Sequence, residues 1–166
     1  MLTRVSLAVA LVVLSLAVWS APALAATTYT DSVQAIEISP GVIVGDTRIG
    51  ATFVGQASGD LNGALTVSVN YTPPAPGPSV TNTIVGGSWV LAVYENGHFR
   101  GTIYGAVTGG TAQWNSDGTV ATLSAQLTIT GGTERYTKAH GTGSFTGTLS
   151  HLTFPPTVLG TLQLTF

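Results

Sequence analysis

The side chains best suited to chemistry in this 166-residue chain are a few polar groups within alternating, largely apolar segments. Arg100 and Tyr104 share one parity of a glycine-spaced segment, whereas Phe99, Ile103 and Val107 share the other. If the large apolar residues face the core of a sheet, Arg100 and Tyr104 face solvent. If the lumen lies on the opposite side, these two residues present a charge and a hydroxyl to a ligand, and we select them as ligand-binding candidates.

Glu37, Trp89 and Trp114 are three further ligand-binding candidates. Glu37 has the opposite parity to Ile36 and Ile38, so a solvated strand face is the alternative to a pocket carboxylate. The two tryptophans occupy strand positions, where packing in the core or at a barrel mouth competes with ligand contact. No catalytic group can be assigned from these residue types, so the sequence leaves enzymatic activity undecided.

Several other chemistries are excluded by spacing and composition. The glycine-rich run 141–147 has the wrong spacing for a dinucleotide loop, and no Gly-x-Ser-x-Gly elbow occurs. His98, His140 and His151 lack the spacing of metal ligands, and cysteine is absent, so we expect no metal site and no cofactor. Only 7% of the residues are charged, which excludes the basic stripe that a nucleic-acid partner needs.

The chain beyond its first 25 residues alternates with a period of two and shows no sustained helical periodicity, which predicts an all-β fold. The predicted strands cover residues 32–38, 48–56, 65–71, 83–94, 99–114, 122–129, 143–154 and 161–166. Asn96-Gly97 and Gly131-Gly132 are typical of hairpin turns, so neighbouring strands should pair antiparallel. Glycines on one parity of two strands favour closure into a single antiparallel β-barrel of about eight strands, with a flat sandwich as the alternative.

Residues 1–25 have the pattern of a signal peptide. Arg4 precedes the apolar run 5–19, and a small-x-small site ends at Ala25, after which we expect cleavage. An uncleaved anchor is the alternative, although an apolar run of about 15 residues is short for a membrane span. We therefore predict a secreted, extracytoplasmic protein with no integral span after cleavage. The barrel domain would cover residues 26–166, with an exposed proline-rich loop at 72–79.

The segment 131–141 resembles a turn found in secreted bacterial proteins related to the allene oxide cyclase and dirigent barrels. That family pattern reads Gly-Gly-Thr-Gly-Arg/Lys-Phe/Tyr-x-x-Ala-x-Gly between two late strands. The matching residues are Gly131, Gly132, Thr133, Arg135, Tyr136, Ala139 and Gly141. Glu134 departs from the pattern, and it would cost roughly 1 kcal/mol if the position needs a positive φ. The resemblance implies a β-barrel of that superfamily, and no family catalytic residue matches a position here.

The function expected from these features is the binding of a small apolar ligand in a barrel lumen. The resemblance also implies an alternative, a cyclase or isomerase acting on an apolar substrate. A third alternative is an outer-membrane or surface-associated structural barrel, because Gly160, Leu162, Leu164 and the terminal Phe166 alternate as in the last strand of such barrels.

Overall fold

Alternating apolar and polar side chains form nine strands in the computed structural model, which describes residues 25–73 and 75–166. The strands are β1 Thr28–Ser39, β2 Val42–Val44, β3 Thr47–Gly59, β4 Gly63–Thr72, β5 Thr81–Glu95, β6 His98–Trp114, β7 Val120–Gly132, β8 Gly141–Ser150 and β9 Thr157–Thr165. A 3-10 turn covers Glu134–Tyr136. Within these described ranges, no helix is long and apolar enough to cross a membrane. The predicted signal peptide lies outside the described residues except for Ala25.

Eight of the strands close into an antiparallel barrel. Each strand from β3 to β9 pairs with its neighbour in the chain, and β1 pairs with both β9 and β3. The short strand β2 pairs with the start of β3 and adds a hairpin to the rim. The all-β prediction and the eight-strand barrel are therefore confirmed, and the flat sandwich is wrong because β1 leaves no open edge between β9 and β3.

Three local predictions need correction. Strand β2 was not predicted, because Val42–Val44 is short and lies between Gly41 and Gly45. Strand β8 ends at Ser150 instead of continuing to residue 154, since the chain turns there toward β9. Gly131 and Gly132 belong to β7 and pair with β6, so the connection to β8 is the longer segment 133–140 and not a tight turn.

The two ends of the barrel are packed differently, and we name them by the course of β1. At the closed end, where β1 begins, Leu91, Ile103 and Leu164 are 0% exposed. The rings of Tyr29 and Phe166 stack there with centroids 4.8 Å apart. The mouth end, where β1 finishes near Glu37, carries half-buried residues around an open space. The open space of the barrel therefore lies at the mouth end.

β-Bulges change which residues of β6 face the lumen. The register of β6 shifts against β5 near Val93, and against β7 near Gly105 and again near Val107. Each shift inserts a residue without a partner, so alternation counted along the sequence does not carry across it. The orientation of a polar residue on this strand therefore depends on the pairing of its neighbours.

Candidate functional site

The mouth end of the barrel encloses a cavity of about 270 Å³. The space exists because Ala35, Ala112 and Ala125 occupy lumen-facing positions that larger side chains would fill. The larger residues around it are almost all apolar, and they include Leu65, Val67, Val69, Leu123, Leu127 and Phe145. An apolar cavity of about 150 Å³ is enough to hold benzene, so this one has room for a small organic molecule.

The proline-rich loop lies at the rim of the cavity and is held there by one buried amide. Asn82 is 2% exposed, and its Nδ2 donates to the carbonyl oxygens of Pro73 at 2.7 Å and Ala75 at 3.2 Å. Its Oδ1 accepts the indole N–H of Trp114 at 2.6 Å. Because its amide is satisfied in this way, Asn82 positions the loop so that Pro76 contributes to the cavity wall.

Strands β1, β3 and β4 bring Glu37, Arg48 and Tyr71 to the same side of the cavity, and we call these three residues the mouth cluster. Arg48 lies opposite Tyr71 in the register of β3 and β4. The Arg48 guanidinium donates to the carbonyl oxygen of Pro40 at 3.0 Å, and its Cζ lies 6.0 Å from the centre of the Tyr71 ring. An otherwise apolar cavity thus carries a carboxyl, a guanidinium and a phenol at one edge.

The members of the mouth cluster influence one another electrostatically. Burial raises the pKa of Glu37, and the positive charge of Arg48 opposes that rise. Burial also raises the pKa of Tyr71; there the charge of Arg48 and its hydrogen bond act downward, while Glu37 acts upward. Arg48 therefore favours the carboxylate form of Glu37, and the tyrosine stays a phenol at neutral pH.

His151 also lines the cavity, in addition to the mouth cluster and Asn82. Its ring meets the ring of Trp114 edge to face, with centroids 4.7 Å apart. Burial lowers the pKa of His151 below its ordinary value of 6.5, so the imidazole is mostly uncharged at neutral pH. It adds hydrogen-bonding capacity to the cavity without adding a full charge.

Three of the five predicted ligand-binding residues, Glu37, Trp89 and Trp114, line the cavity. Glu37 belongs to the mouth cluster, and the two tryptophans form part of the wall. The indole N–H of Trp89 donates to the carbonyl oxygen of Thr128 at 3.2 Å. Since both indole N–H groups already have protein acceptors, the tryptophans offer a ligand their ring faces and edges.

The other two predicted residues, Arg100 and Tyr104, lie outside the cavity. Ile103 is buried in the lumen and the neighbouring Tyr104 is 41% exposed, so Tyr104 faces outward. The Nε of Arg100 lies 2.9 Å from Oε2 of Glu95 at the closed end. The hypothesis that Arg100 and Tyr104 face the lumen is therefore corrected, because the larger apolar residues of β6 occupy that side.

The closed end holds one buried carboxyl, Asp31, which is 1% exposed. Its Oδ1 accepts the backbone N–H of Leu61 at 2.7 Å, and its Oδ2 has no hydrogen-bond partner in the described structure. Burial raises the pKa of Asp31, the Leu61 N–H acts downward, and the charge of Asp60 acts upward. Across residues 25–73 and 75–166, no three histidine or acidic side chains are grouped closely enough to hold a metal ion.

Sequence reasoning missed Arg48, Tyr71 and His151 as cavity residues. Tyr71 was assigned to the same face as Leu65, Val67 and Val69, and a tyrosine at the end of such a face is a recognisable signal for a polar group at a rim. Arg48 and His151 carry no comparable signal, because Arg48 lies in the unpredicted β2–β3 hairpin, opposite Ile43, and His151 lies in a loop.

Comparison with known proteins gives no relatives: no protein-family model, no curated protein and no solved structure matches the chain. The resemblance of residues 131–141 to the allene oxide cyclase and dirigent barrels therefore stays a prediction.

Proposed function

We propose that this protein binds a small, predominantly apolar molecule in the cavity at the mouth end of its barrel. The observation that carries the proposal is the apolar cavity of about 270 Å³, bordered by a small set of polar groups at one edge. Ligand sites of folded proteins share this composition, with apolar walls for affinity and a few polar groups for orientation. The volume is near the lower limit of about 300 Å³ for such sites, which favours a small guest.

The sequence also predicts the cellular location in which the protein would bind its ligand. The predicted signal peptide places the protein outside the cytoplasm, where a closed barrel would shield an apolar compound from water. An exported barrel of this kind, related to the allene oxide cyclase and dirigent proteins, would act as a carrier or a receptor for its ligand. No cofactor, metal ion or nucleic acid is part of this proposal.

Tryptophan fluorescence provides the direct test, because two of the protein's three tryptophans line the cavity. Bromobenzene is a suitable probe, since it is small, apolar and a heavy-atom quencher. We expect saturable quenching of Trp89 and Trp114 and a rise in melting temperature with ligand concentration. A ligand at a hundred times its dissociation constant would stabilise the fold by about 2.7 kcal/mol.

A pair of matched variants on β4 tests whether the fluorescence quenching arises from binding in the cavity. Val67→Phe adds a ring to the lumen face, whereas Thr66→Phe adds the same ring to the outer face of the same strand. We expect Val67→Phe to weaken quenching at least tenfold while the barrel stays folded, and Thr66→Phe to leave it unchanged. Equal quenching in both variants, or none in the wild-type protein, would contradict the proposal.

A second candidate function, isomerisation or cyclisation of an apolar substrate, is favoured by one observation. Glu37 is a partly buried carboxyl with a raised pKa, next to a guanidinium and a phenol. Perturbed carboxyls at the edge of an apolar cavity are suited to general acid–base steps. Retention of ligand binding by Glu37→Gln with loss of any turnover of the bound compound would support catalysis over simple binding.

A further inference from the structure

The mouth end differs from the closed end in its outer surface as well as in its packing. Large apolar residues at its rim are more than half exposed to solvent, and Phe154 is 99% exposed. We call these residues the rim patch: Ile38, Val42, Ile43, Val44, Leu152 and Phe154. Single exposed apolar residues are common on proteins, whereas a group of this size marks a surface that contacts another apolar body.

The rim patch occupies one sector of the rim, because its three chain segments belong to neighbouring strands. Ile38 lies at the end of β1, β2 pairs with the start of β3, and residues 151–156 join β8 to β9. Strand β1 pairs with both β3 and β9. The backbone N–H of Glu37 also donates to the carbonyl oxygen of Pro156 at 2.9 Å, which holds the segment 151–156 next to β1.

Two of these segments project from the barrel. Successive side chains of a strand point to opposite faces, yet Val42, Ile43 and Val44 are all exposed, so neither face of β2 is covered. The segment 151–156 is anchored at its start, where the backbone N–H of His151 donates to the carbonyl oxygen of Thr119 at 2.8 Å, and it exposes Phe154 beyond that anchor. Projecting apolar segments are suited to insertion into a soft layer.

Exposed charges are distributed unequally between the two ends. The closed end exposes side chains of both signs, which are Asp60, Glu95, Glu134, Arg135 and Lys138. In the part of the chain that the structure describes, the mouth end exposes the carboxylates of Asp46 and Asp117, and its one basic residue, Arg48, is half-buried and donates to Pro40. A rim of this kind does not attract anionic headgroups, but its carboxylates are complementary to the ammonium group of choline.

We propose that the mouth end docks on a neutral, phosphatidylcholine-like lipid surface, with the rim patch at the boundary between headgroups and acyl chains. A lipid surface is favoured over a protein partner because the rim patch is aliphatic apart from Phe154. It contains none of the tyrosine, tryptophan or arginine in which protein interfaces are enriched. Asp46, in the turn between β2 and β3, limits insertion to the headgroup level. Docking needs no guest in the cavity, so this inference goes beyond the proposed function.

Sedimentation with vesicles of pure phosphatidylcholine tests the docking. We expect the bound fraction to rise with lipid concentration and to be insensitive to added salt, because the contact is apolar. Phe154→Ser should lower the partition coefficient about tenfold without changing the melting temperature, since the ring is exposed in the free protein. The control is Phe99→Ser, the same exchange at a half-exposed ring of the closed end, which should leave partitioning unchanged.

The orientation on the lipid surface can be measured separately. The chain contains no cysteine, so a single introduced cysteine can carry an environment-sensitive fluorophore such as nitrobenzoxadiazole. The label at Leu152→Cys should increase in fluorescence and shift to the blue on vesicles, whereas the label at Phe99→Cys should not change. A change at both positions, or at Phe99→Cys alone, would overturn docking by the mouth end.

The remaining outcomes are distinct from those of the proposed function. Absence of vesicle binding, or equal partitioning of wild type and Phe154→Ser, would refute the docking. A dimer in analytical ultracentrifugation that Phe154→Ser dissociates, without vesicle binding, would assign the rim patch to a second copy of this chain instead. Bromobenzene quenching is measured without lipid, so its result decides the proposed function and leaves the docking unaffected.

Discussion

The closed end and the mouth end of this barrel are built from the same strands but packed to different densities. At the closed end, large aliphatic side chains such as Leu91, Ile103 and Leu164 are fully buried in the lumen. At the mouth end, small residues such as Ala35, Ala112 and Ala125 stand among larger ones such as Trp89 and Phe145, and a cavity of about 270 Å³ remains between them. One continuous barrel thus combines a solid core with a hollow one.

Close packing, which stabilises the fold, and the cavity, which is the proposed binding site, therefore lie at opposite ends of the barrel axis. The closed end supplies the close packing that holds eight strands together, and its outer rim carries the ion pairs of Glu95 with Arg100 and Arg135. The mouth end is less densely packed and contains the cavity, which has polar groups at its edge. Substitutions at the two ends should therefore change different measurable properties.

The largest expected effect is the loss of stability when a leucine at the closed end is truncated to alanine, and a leucine at the mouth end serves as the comparison. Leu164→Ala should destabilise the fold by about 3 to 4 kcal/mol, because it opens a void in a fully buried site. Leu123 borders the existing cavity, so Leu123→Ala should destabilise the fold by only about 1 kcal/mol. Urea unfolding measures both values, and equal losses would show that the two ends are packed alike.

The second prediction concerns the bulge of β6, where a glycine permits close approach of the backbone. A Cβ at Gly105 would overlap the carbonyl oxygen of Thr128, the same atom that accepts the Trp89 indole N–H. Gly105→Val should therefore destabilise the protein by about 2 to 3 kcal/mol. Ala106→Val, one residue further on the outer face, is the control and should change stability by less than about 0.5 kcal/mol. A normal melting temperature for Gly105→Val would contradict this account of the bulge.

The third prediction compares one carboxyl from each end by its pH dependence. The raised pKa of Asp31 means that its contribution to stability is fully present below its unfolded pKa and is lost as the pH rises through the folded value. Asp31→Asn should thus stabilise the protein at pH 7, by about 1 kcal/mol, and much less near pH 4. Denaturant unfolding at both pH values measures the difference.

Asp117 at the mouth end is the opposite case and serves as the control. Its hydrogen bonds from the Thr119 side chain and backbone lower its pKa, so its contribution is present above the unfolded pKa and is lost as the pH falls. Asp117→Asn should therefore reduce stability at pH 7, with a smaller effect in acid. The same sign for both variants would rule out this electrostatic difference between the ends.

The smallest effect is expected at Glu134, the residue that departs from the family-like turn. Its φ is 51°, in the region that favours glycine. Glu134→Gly should raise stability by about 0.5 kcal/mol, because relief of backbone strain exceeds the added chain entropy. Glu134→Ala keeps the strain and should produce no gain, so thermal unfolding of the pair separates backbone strain from loss of the carboxylate.

Period-two alternation was sufficient to predict the strands, as the segment around Leu65, Val67 and Val69 illustrates. Those residues share one face in the sequence and line one lumen in the structure. The turn pattern of the family has a glycine where this chain has Glu134. Glu134 does have a positive φ, which is the condition under which a cost was expected for a residue other than glycine. Such features are local, and the covalent geometry of neighbouring residues determines them.

The candidate site was predictable only in part. Glu37, Trp89 and Trp114 could be selected as large or charged residues on strands, but the partners Arg48 and Tyr71 come from strands β3 and β4, and only pairing brings them to Glu37. Arg100 and Tyr104 were assigned to the lumen in one of two readings of β6. In the structure Ile103 and Val107 face the lumen and Tyr104 faces outward, as the other reading of the alternation required, and the bulge between Val107 and Gly109 then turns Ala112 and Trp114 toward the lumen.

By itself, the sequence determined that this chain forms antiparallel strands, because alternation and turn residues act over a few positions. Tertiary structure alone decided which end of the barrel is solid, which is hollow, and which charges meet at the mouth. Those properties depend on side-chain volumes summed across eight strands and on registers shifted by bulges. They arise from contacts between residues far apart in the chain, which no local pattern encodes.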